Sequence, residues 1–191
     1  MGNVMVLTRR QQEIIDTALN LTAEKGIQSL TIKNLGSELG ISEPAIYRHF
    51  RSKSEIIKTM INGFDLAVPT GDAGRHGFEA VAWYVRKRLQ QVIDQPALAK
   101  VMFSEELFMG DPEWVGLLLR MMHRHREALG HCFHEAQETG EIRRGLSDEM
   151  LFCLVFGPVR MLVKQWGMSE RAFDLRERGE ALLATLRTIL R

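Results

Sequence analysis

Between Gly40 and Glu55 the chain reads GISEPAIYRHFRSKSE. Tyr47, Arg48, His49, Arg51 and Lys53 fall within this stretch, and no acid lies between Pro44 and Ser54. A phenol, an imidazole, two guanidinium groups and an ammonium form a donor set with few local acceptors. Such a set suits an array of anionic oxygens, as on the phosphate backbone of DNA. Thr31 and Lys33, a short way upstream, add a hydroxyl and a second ammonium. Phosphate contacts fix register and read no sequence, so base edges need other groups. Glu43 can accept from a cytosine amino group, Ala45 can touch a thymine methyl, and Arg48 can take guanine. Ser42 and Pro44 stand beside them at the start of the same segment. The candidate DNA-binding set is therefore Thr31, Lys33, Ser42, Glu43, Pro44, Ala45, Tyr47, Arg48, His49 and Lys53.

These groups work only if the chain presents them rigidly. Helical spacing dominates the sequence and strand signals are scarce. A first helix is expected from about Thr8 to Lys25, stopped by Gly26 with Ile27 packing back. Thr31 is a plausible N-cap for a second helix ending near Leu39. Gly40-Ile41-Ser42 is then a tight turn, and Ser42 caps a short third helix with Pro44 in its first turn. Ile32, Leu35 and Leu39 give the second helix an apolar edge. Ile41, Ala45, Ile46 and Phe50 give the third its own. The two edges brace each other as a helix-turn-helix, and Tyr47, Arg48 and His49 are driven to outer or flanking faces. Ser52 and Glu55 have capping-box spacing and open a fourth helix to about Phe64.

The stretch AEKGIQS, followed by LTIKNLGSELGISEPAIYRHFRSKSEII, resembles the DNA-binding domain of the TetR/AcrR family of transcriptional regulators. The resemblance rests on Lys25-Gly26, Thr31, the Gly40-Ile41-Ser42 turn, Tyr47 to Phe50, and Ser52-Lys53. It implies that Thr31, Tyr47, His49 and Lys53 contact the DNA backbone. One departure is Gly36, where the family usually has alanine; glycine there costs about 1 kcal/mol of helix propensity. Pro44 is another, at a position that tends to vary and to read sequence.

Val68 to Gly77 (VPTGDAGRHG) is the one clear linker. Beyond it five longer helices are expected, near Phe78–Asp94, Pro96–Met109, Pro112–Thr139, Ser147–Trp166 and Glu170–Leu190. With the fourth helix grouped with these, the helix-turn-helix domain is 1–53 and the larger helical domain is 54–191. The fold class is all-α: a three-helix DNA-binding domain followed by a helical ligand-binding and dimerisation domain. The last two helices carry apolar seams, Leu151, Leu154, Val155, Pro158 and Leu162 on one, Leu183, Leu186 and Leu190 on the other. Paired with twofold mates they would make a four-helix interface. The resemblance implies this homodimer, which would set two reading heads about 34–36 Å apart on a palindromic operator. It also implies an effector cavity among the central helices, which are rich in aromatics and methionine. The candidate lining residues are Phe64, Trp83, Phe103, Leu107, Leu118 and Met122. Arg86 and Arg120 could meet an acidic ligand, though each reads more readily as a solvated charge.

Bulk properties fit this reading and narrow the alternatives. Hydrophobic residues are 45% and charged residues 26%, the balance of a globular chain. Net charge is +1, so any DNA contact must come from a local patch. Residues 1–60 carry eight basic side chains against six acids. Cys132 and Cys153 lack metal-like spacing, which suits a reducing cytoplasm. The longest apolar run, Met150 to Val159, is about half of a ~20-residue membrane span. His123, His125, His131 and His134 tempt a metal reading, but their spacing around a helix disperses them, and neither a metal nor another cofactor is expected. There is no nucleophile elbow, phosphate loop or well-spaced carboxylate pair, so an enzyme is not expected. The alternative is a helical small-molecule carrier or interaction module with a vestigial helix-turn-helix, and the Arg48/His49/Arg51/Lys53 cluster argues against it.

Overall fold

The computed structural model describes residues 7–66, 74–97, 101 and 112–191. Most of the helix expected over Pro96–Met109 lies outside them, with Phe103 and Leu107. The described residues contain no strand and form eight α-helices and one 3-10 turn. They divide into two compact units, 7–66 with 97, 101 and 112–118, and 74–96 with 119–191.

In the first unit, α1 (Arg9–Lys25) opens on a capping box. The Thr8 hydroxyl accepts from Gln11 N at 3.2 Å, and Thr8 N donates to Gln11 Oε1 at 3.0 Å. Gly26, at φ 81°, ends the helix in a conformation that suits glycine. A 3-10 turn (Ile27–Ser29) leads to α2 (Ile32–Leu39), where the Thr31 hydroxyl accepts from Asn34 N at 3.0 Å. Gly40, left-handed at φ 64°, closes α2 and starts the turn into α3 (Glu43–Tyr47). At the head of α4 (Lys53–Leu66) Ser52 caps as its spacing to Glu55 suggests, while the Glu55 carboxylate reaches Arg51 N instead of closing the box on Ser52 N. Glu55 N donates to Ser52 Oγ at 3.2 Å, and Arg51 N donates to Glu55 Oε2 at 2.5 Å. The core holds Ile14, Ala18, Leu30, Leu35, Ile46, Ile56 and Ile57, all fully buried. Of the expected bracing edges, Ile32, Leu35, Ile46 and Phe50 are buried, while Leu39, Ile41 and Ala45 are half-buried. Helix α1 packs on α2 and α4, and α2 packs on α3.

Gly36 has a local reason to be glycine. A Cβ there would stand 2.8 Å from the carbonyl oxygen of Ile41, closer than real Cβ contacts come. Its absence lets the turn fold tightly against α2, where Ile41 N donates to Gly36 O at 2.9 Å. The helix-propensity cost is offset by this close approach.

The second unit holds α5 (Gly77–Asp94), most of α6 (Pro112–Glu138), α7 (Asp148–Met168) and α8 (Leu175–Leu190). Helix α8 packs on both α5 and α7. Gly179 permits this closeness, since a Cβ there would fall 2.3 Å from Leu89 Cδ1. Helix α8 begins five residues later than expected. Glu170 and Arg171 adopt left-handed φ values of 53° and 67°, so the helix cannot start there. Asp174 supplies the cap instead, its Oδ1 accepting from Arg176 N at 2.8 Å and Glu177 N at 3.2 Å.

Much of the expected dimer seams is occupied within the chain. Leu151, Val155, Leu183, Leu186 and Leu190 are all buried within the single chain and belong to its own core. Helix α8 spends its apolar stripe on α5 and α7, so that stripe is not a free surface. Leu154, Pro158 and Leu162 are half-buried, with Pro158 inside α7. The large exposed apolar side chains on these two helices are Met150, Met161, Met168 and Ile189.

Two carboxylates tie this unit together. Glu135 on α6 accepts from Gly77 N at 2.8 Å, at the head of α5, and meets His76 Nδ1 at 2.9 Å. The Gly77 hydrogen bond, with help from His76, holds its carboxyl below the ordinary 4.5. Glu180 on α8 takes two hydrogen bonds from Arg86 on α5, at 2.6 and 3.0 Å, and is likewise held down by that guanidinium. A carboxyl whose folded pKa is depressed stabilises the fold above its unfolded value and loses that contribution as pH falls through the folded value. The urea midpoint of this unit should therefore be flat from pH 7 to about 5 and then decline as pH drops below 4.5. In the Glu135→Gln, Glu180→Gln double variant the midpoint should start lower and the decline should be shallower. Fluorescence-monitored urea titrations across that range check both.

Candidate nucleic-acid interface

The described residues of the first unit carry eight cations, and carboxylates divide them into two groups. Arg9 and Arg10 both reach Glu13, at 3.2 and 2.7 Å; Lys25 meets Glu38 at 2.9 Å; Lys58 meets Glu113 at 2.5 Å. The other four are Lys33, Arg48, Arg51 and Lys53. No hydrogen bond or ion pair among the described residues engages their side chains. All four lie on α2, on the segment ending α3, or at the start of α4. Positive charge left unneutralised on adjoining elements is what a polyanion requires.

Packing aims this cluster. Ile46 is fully buried and Phe50 is 3% exposed, so one side of the α3 segment is fixed in the core. Gln11 Nε2 donates to the carbonyl of His49 at 3.2 Å, tying the end of that segment to α1. Tyr47 is consequently pushed out to 51% exposure. Glu43, Pro44 and Arg48 are exposed, while Ala45, His49 and Lys53 are half-buried. Ser42 occupies the N-cap position of α3 but its hydroxyl makes no capping bond, which leaves it open to a phosphate oxygen. The Thr31 hydroxyl is already engaged as a cap acceptor, yet it can still donate its proton outward. Every member of the expected DNA-binding set thus lies between Thr31, the N-cap of α2, and Lys53, the first residue of α4. Arg51, left out of that set, belongs with it: it is exposed and its guanidinium is unpaired. Its signal was already present in the acid-free run.

The residues expected to line an effector cavity fall in both units. Phe64, 7% exposed, and half-buried Leu118 belong to the first. Trp83 and Met122 belong to the second. Arg75 and Lys87 lie over the Trp83 ring, 5.2 and 5.9 Å from its centroid, and Met122 is exposed.

The polar group in the interior of the second unit was not anticipated. Arg88, 7% exposed, donates to Tyr84 Oη at 3.0 Å, Gln91 Oε1 at 2.9 Å and His125 Nε2 at 3.1 Å. Guanidinium only donates, so His125 must accept through Nε2 and carry its proton on Nδ1. Tyr84, Arg88 and Gln91 recur at helical spacing, and a polar stripe of that period was the available signal. Arg86, the arginine weighed for a ligand, is instead paired with Glu79 and Glu180. Nearby, a groove of about 400 Å³ between α5 and α8 is lined by Phe78, Glu79, Arg86, Glu180 and Arg187 among others. Glu79, Arg86, Glu180 and Arg187 there are joined by ion pairs. Among the described residues, no group of three or more His, Cys, Asp or Glu is placed to hold a metal ion, and no helix is long and apolar enough to cross a membrane.

Comparison with known proteins supplies independent findings. The family profile for bacterial regulatory proteins, tetR family, matches residues 14–60, and that for the YsiA-like protein C-terminal region matches residues 73–187. The probable acrEF/envCD operon repressor of Escherichia coli K12 is 21% identical over 184 residues, covering 92% of this chain and 84% of the relative. The fatty acid metabolism regulator protein of Bacillus subtilis 168 is 21% identical over 182 residues, covering 93% of each. Among solved structures, the fatty acid degradation regulator FadR from Bacillus halodurans superposes with a TM-score of 0.83 at 19% identity, covering 97% of this chain and 98% of that one. FadR from Bacillus subtilis, in complex with stearoyl-CoA, gives 0.74 at 22% identity, covering 92% and 96%.

Proposed function

The chain belongs to the TetR family of bacterial regulatory proteins, ligand-responsive DNA-binding repressors, and from that premise we propose how this member works. It acts in the cytoplasm as a homodimer on a palindromic operator. Lys33, Tyr47, His49, Arg51 and Lys53, with the hydroxyls of Thr31 and Ser42, hold the phosphates. Glu43, Pro44, Ala45 and Arg48 face the base edges. The observation that carries this reading is the sorting of charge in the first unit: the four cations without a carboxylate all surround α3.

The effector is a small, largely apolar molecule. The likeness to the fatty acid regulators, one of them solved with stearoyl-CoA, favours a long acyl chain. Its binding shifts α4, which carries the reading head, and so changes the spacing of the two heads in the dimer. The Lys58–Glu113 pair, joining α4 to the first turn of α6, supports this route. A typical coupling of ~1–3 kcal/mol weakens operator binding some 5–150-fold.

In vitro selection of bound fragments from random duplex DNA tests the proposal. A twofold-symmetric consensus is expected, along with release of that DNA by stearoyl-CoA in a mobility-shift titration. Selection that returns no enriched sequence at low salt would sink it.

A further inference from the structure

We propose that the indole N–H of Trp114 is the hydrogen-bond donor that recognises the effector, and that its acceptor is the acyl oxygen at the head of a long apolar chain. This assignment rests on the acyl reading above and identifies a contact within it.

Two side-chain polar atoms among the described residues are buried without any partner, Ser54 Oγ and Trp114 Nε1. Leaving such a group unmet is costly, and a native fold that retains one leaves it a use. An indole nitrogen has a single proton and no acceptor capacity, so its need is specific: an oxygen or nitrogen lone pair. The two orphans flank one contact. Ser54 stands one turn before Lys58 on α4, and Trp114 follows Glu113 on α6, while Lys58 Nζ meets Glu113 Oε1 at 2.5 Å. The unmet donor therefore lies beside the join between α6 and the helix that carries the reading head. An oxygen that reaches Trp114 arrives where it can act on α4.

A matched pair of probes isolates one oxygen. Stearoyl-CoA has the thioester carbonyl, and its thioether S-octadecyl-CoA replaces that carbonyl with a methylene. Wild-type protein should bind the thioester about 5- to 20-fold more tightly, as expected for one buried hydrogen bond. Trp114→Phe keeps the apolar body and removes the N–H, and should bind both probes equally. Its ligand-free affinity for operator DNA should match wild type, which shows that the variant is folded. In ¹⁵N-labelled protein the indole resonance missing from Trp114→Phe should move with stearoyl-CoA and stay put with the thioether. Stearic acid distinguishes the source of the oxygen: equal movement of the resonance assigns a free carboxylate, and no movement assigns the thioester. Equal binding of the two CoA probes by wild type overturns the assignment while leaving the acyl reading intact. So does full discrimination retained by Trp114→Phe. If wild type binds neither CoA probe, the acyl reading fails and takes this assignment with it.

Discussion

Exchanging Lys33, Arg51 and Lys53 for glutamine together should weaken operator binding by about three to four orders of magnitude near 0.1 M salt. These ammonium and guanidinium groups have no internal partners, so the fold loses nothing when they are neutralised. The proposed dimer doubles each substitution, removing six phosphate contacts. Each contact contributes about 0.9 to the dependence of log affinity on log salt, so the slope should become shallower by about 5. Fluorescence anisotropy with labelled operator at several salt concentrations measures both quantities. Replacing Arg9 and Arg10 with glutamine provides the contrast. Both are paired with Glu13, and their loss should change the slope by little. If the slope of the triple variant coincides with that of the Arg9, Arg10 double variant, the cations around α3 do not touch phosphate.

The largest effect on stability should come from Ile46→Ala. The side chain is fully buried where α3 is braced by α2, and truncating a buried isoleucine costs about 2–5 kcal/mol. In a unit this small that is a large part of total stability. DNA binding should disappear at temperatures where wild type binds fully, although Tyr47, Arg48 and His49 are unchanged. The second unit should keep its own transition in calorimetry, because Ile46 contributes nothing to its core. Tyr47→Ala is the counterpart. That residue is 51% exposed, so stability should stay within about 0.5 kcal/mol while operator affinity falls. Retained DNA binding in Ile46→Ala would mean that the reading head does not depend on this packing.

The first unit was legible because its structure is specified locally. Thr31, Ser52, Gly26 and Gly40 each act within a few residues, and each caps or ends a helix where its spacing placed it. The second unit depends on which face of each helix meets which neighbour, and periodicity does not encode that. Leu183 and Leu186 make the same stripe whether the partner is α5 of the same chain or a helix of another copy. The arginines show the same ambiguity. Arg86 and Arg88 are two residues apart, so they point to nearly opposite sides of α5. Only packing reveals that Arg86 meets carboxylates at the surface while Arg88 is enclosed by Tyr84, Gln91 and His125. Gly36 is a different kind of gap: its propensity cost is visible in the chain, while the Ile41 carbonyl it accommodates is visible only in three dimensions.

The α3 segment is anchored entirely from behind, through Ile46, Phe50 and the bond from Gln11 to the His49 carbonyl. Glu43, Pro44 and Arg48, in front, hold nothing up. Its outer surface is therefore an exchangeable faceplate on a fixed mount. On the proposed base contacts, exchanges at those three positions should retarget the protein to a different operator, with the rest of the molecule and its effector response carried over unaltered.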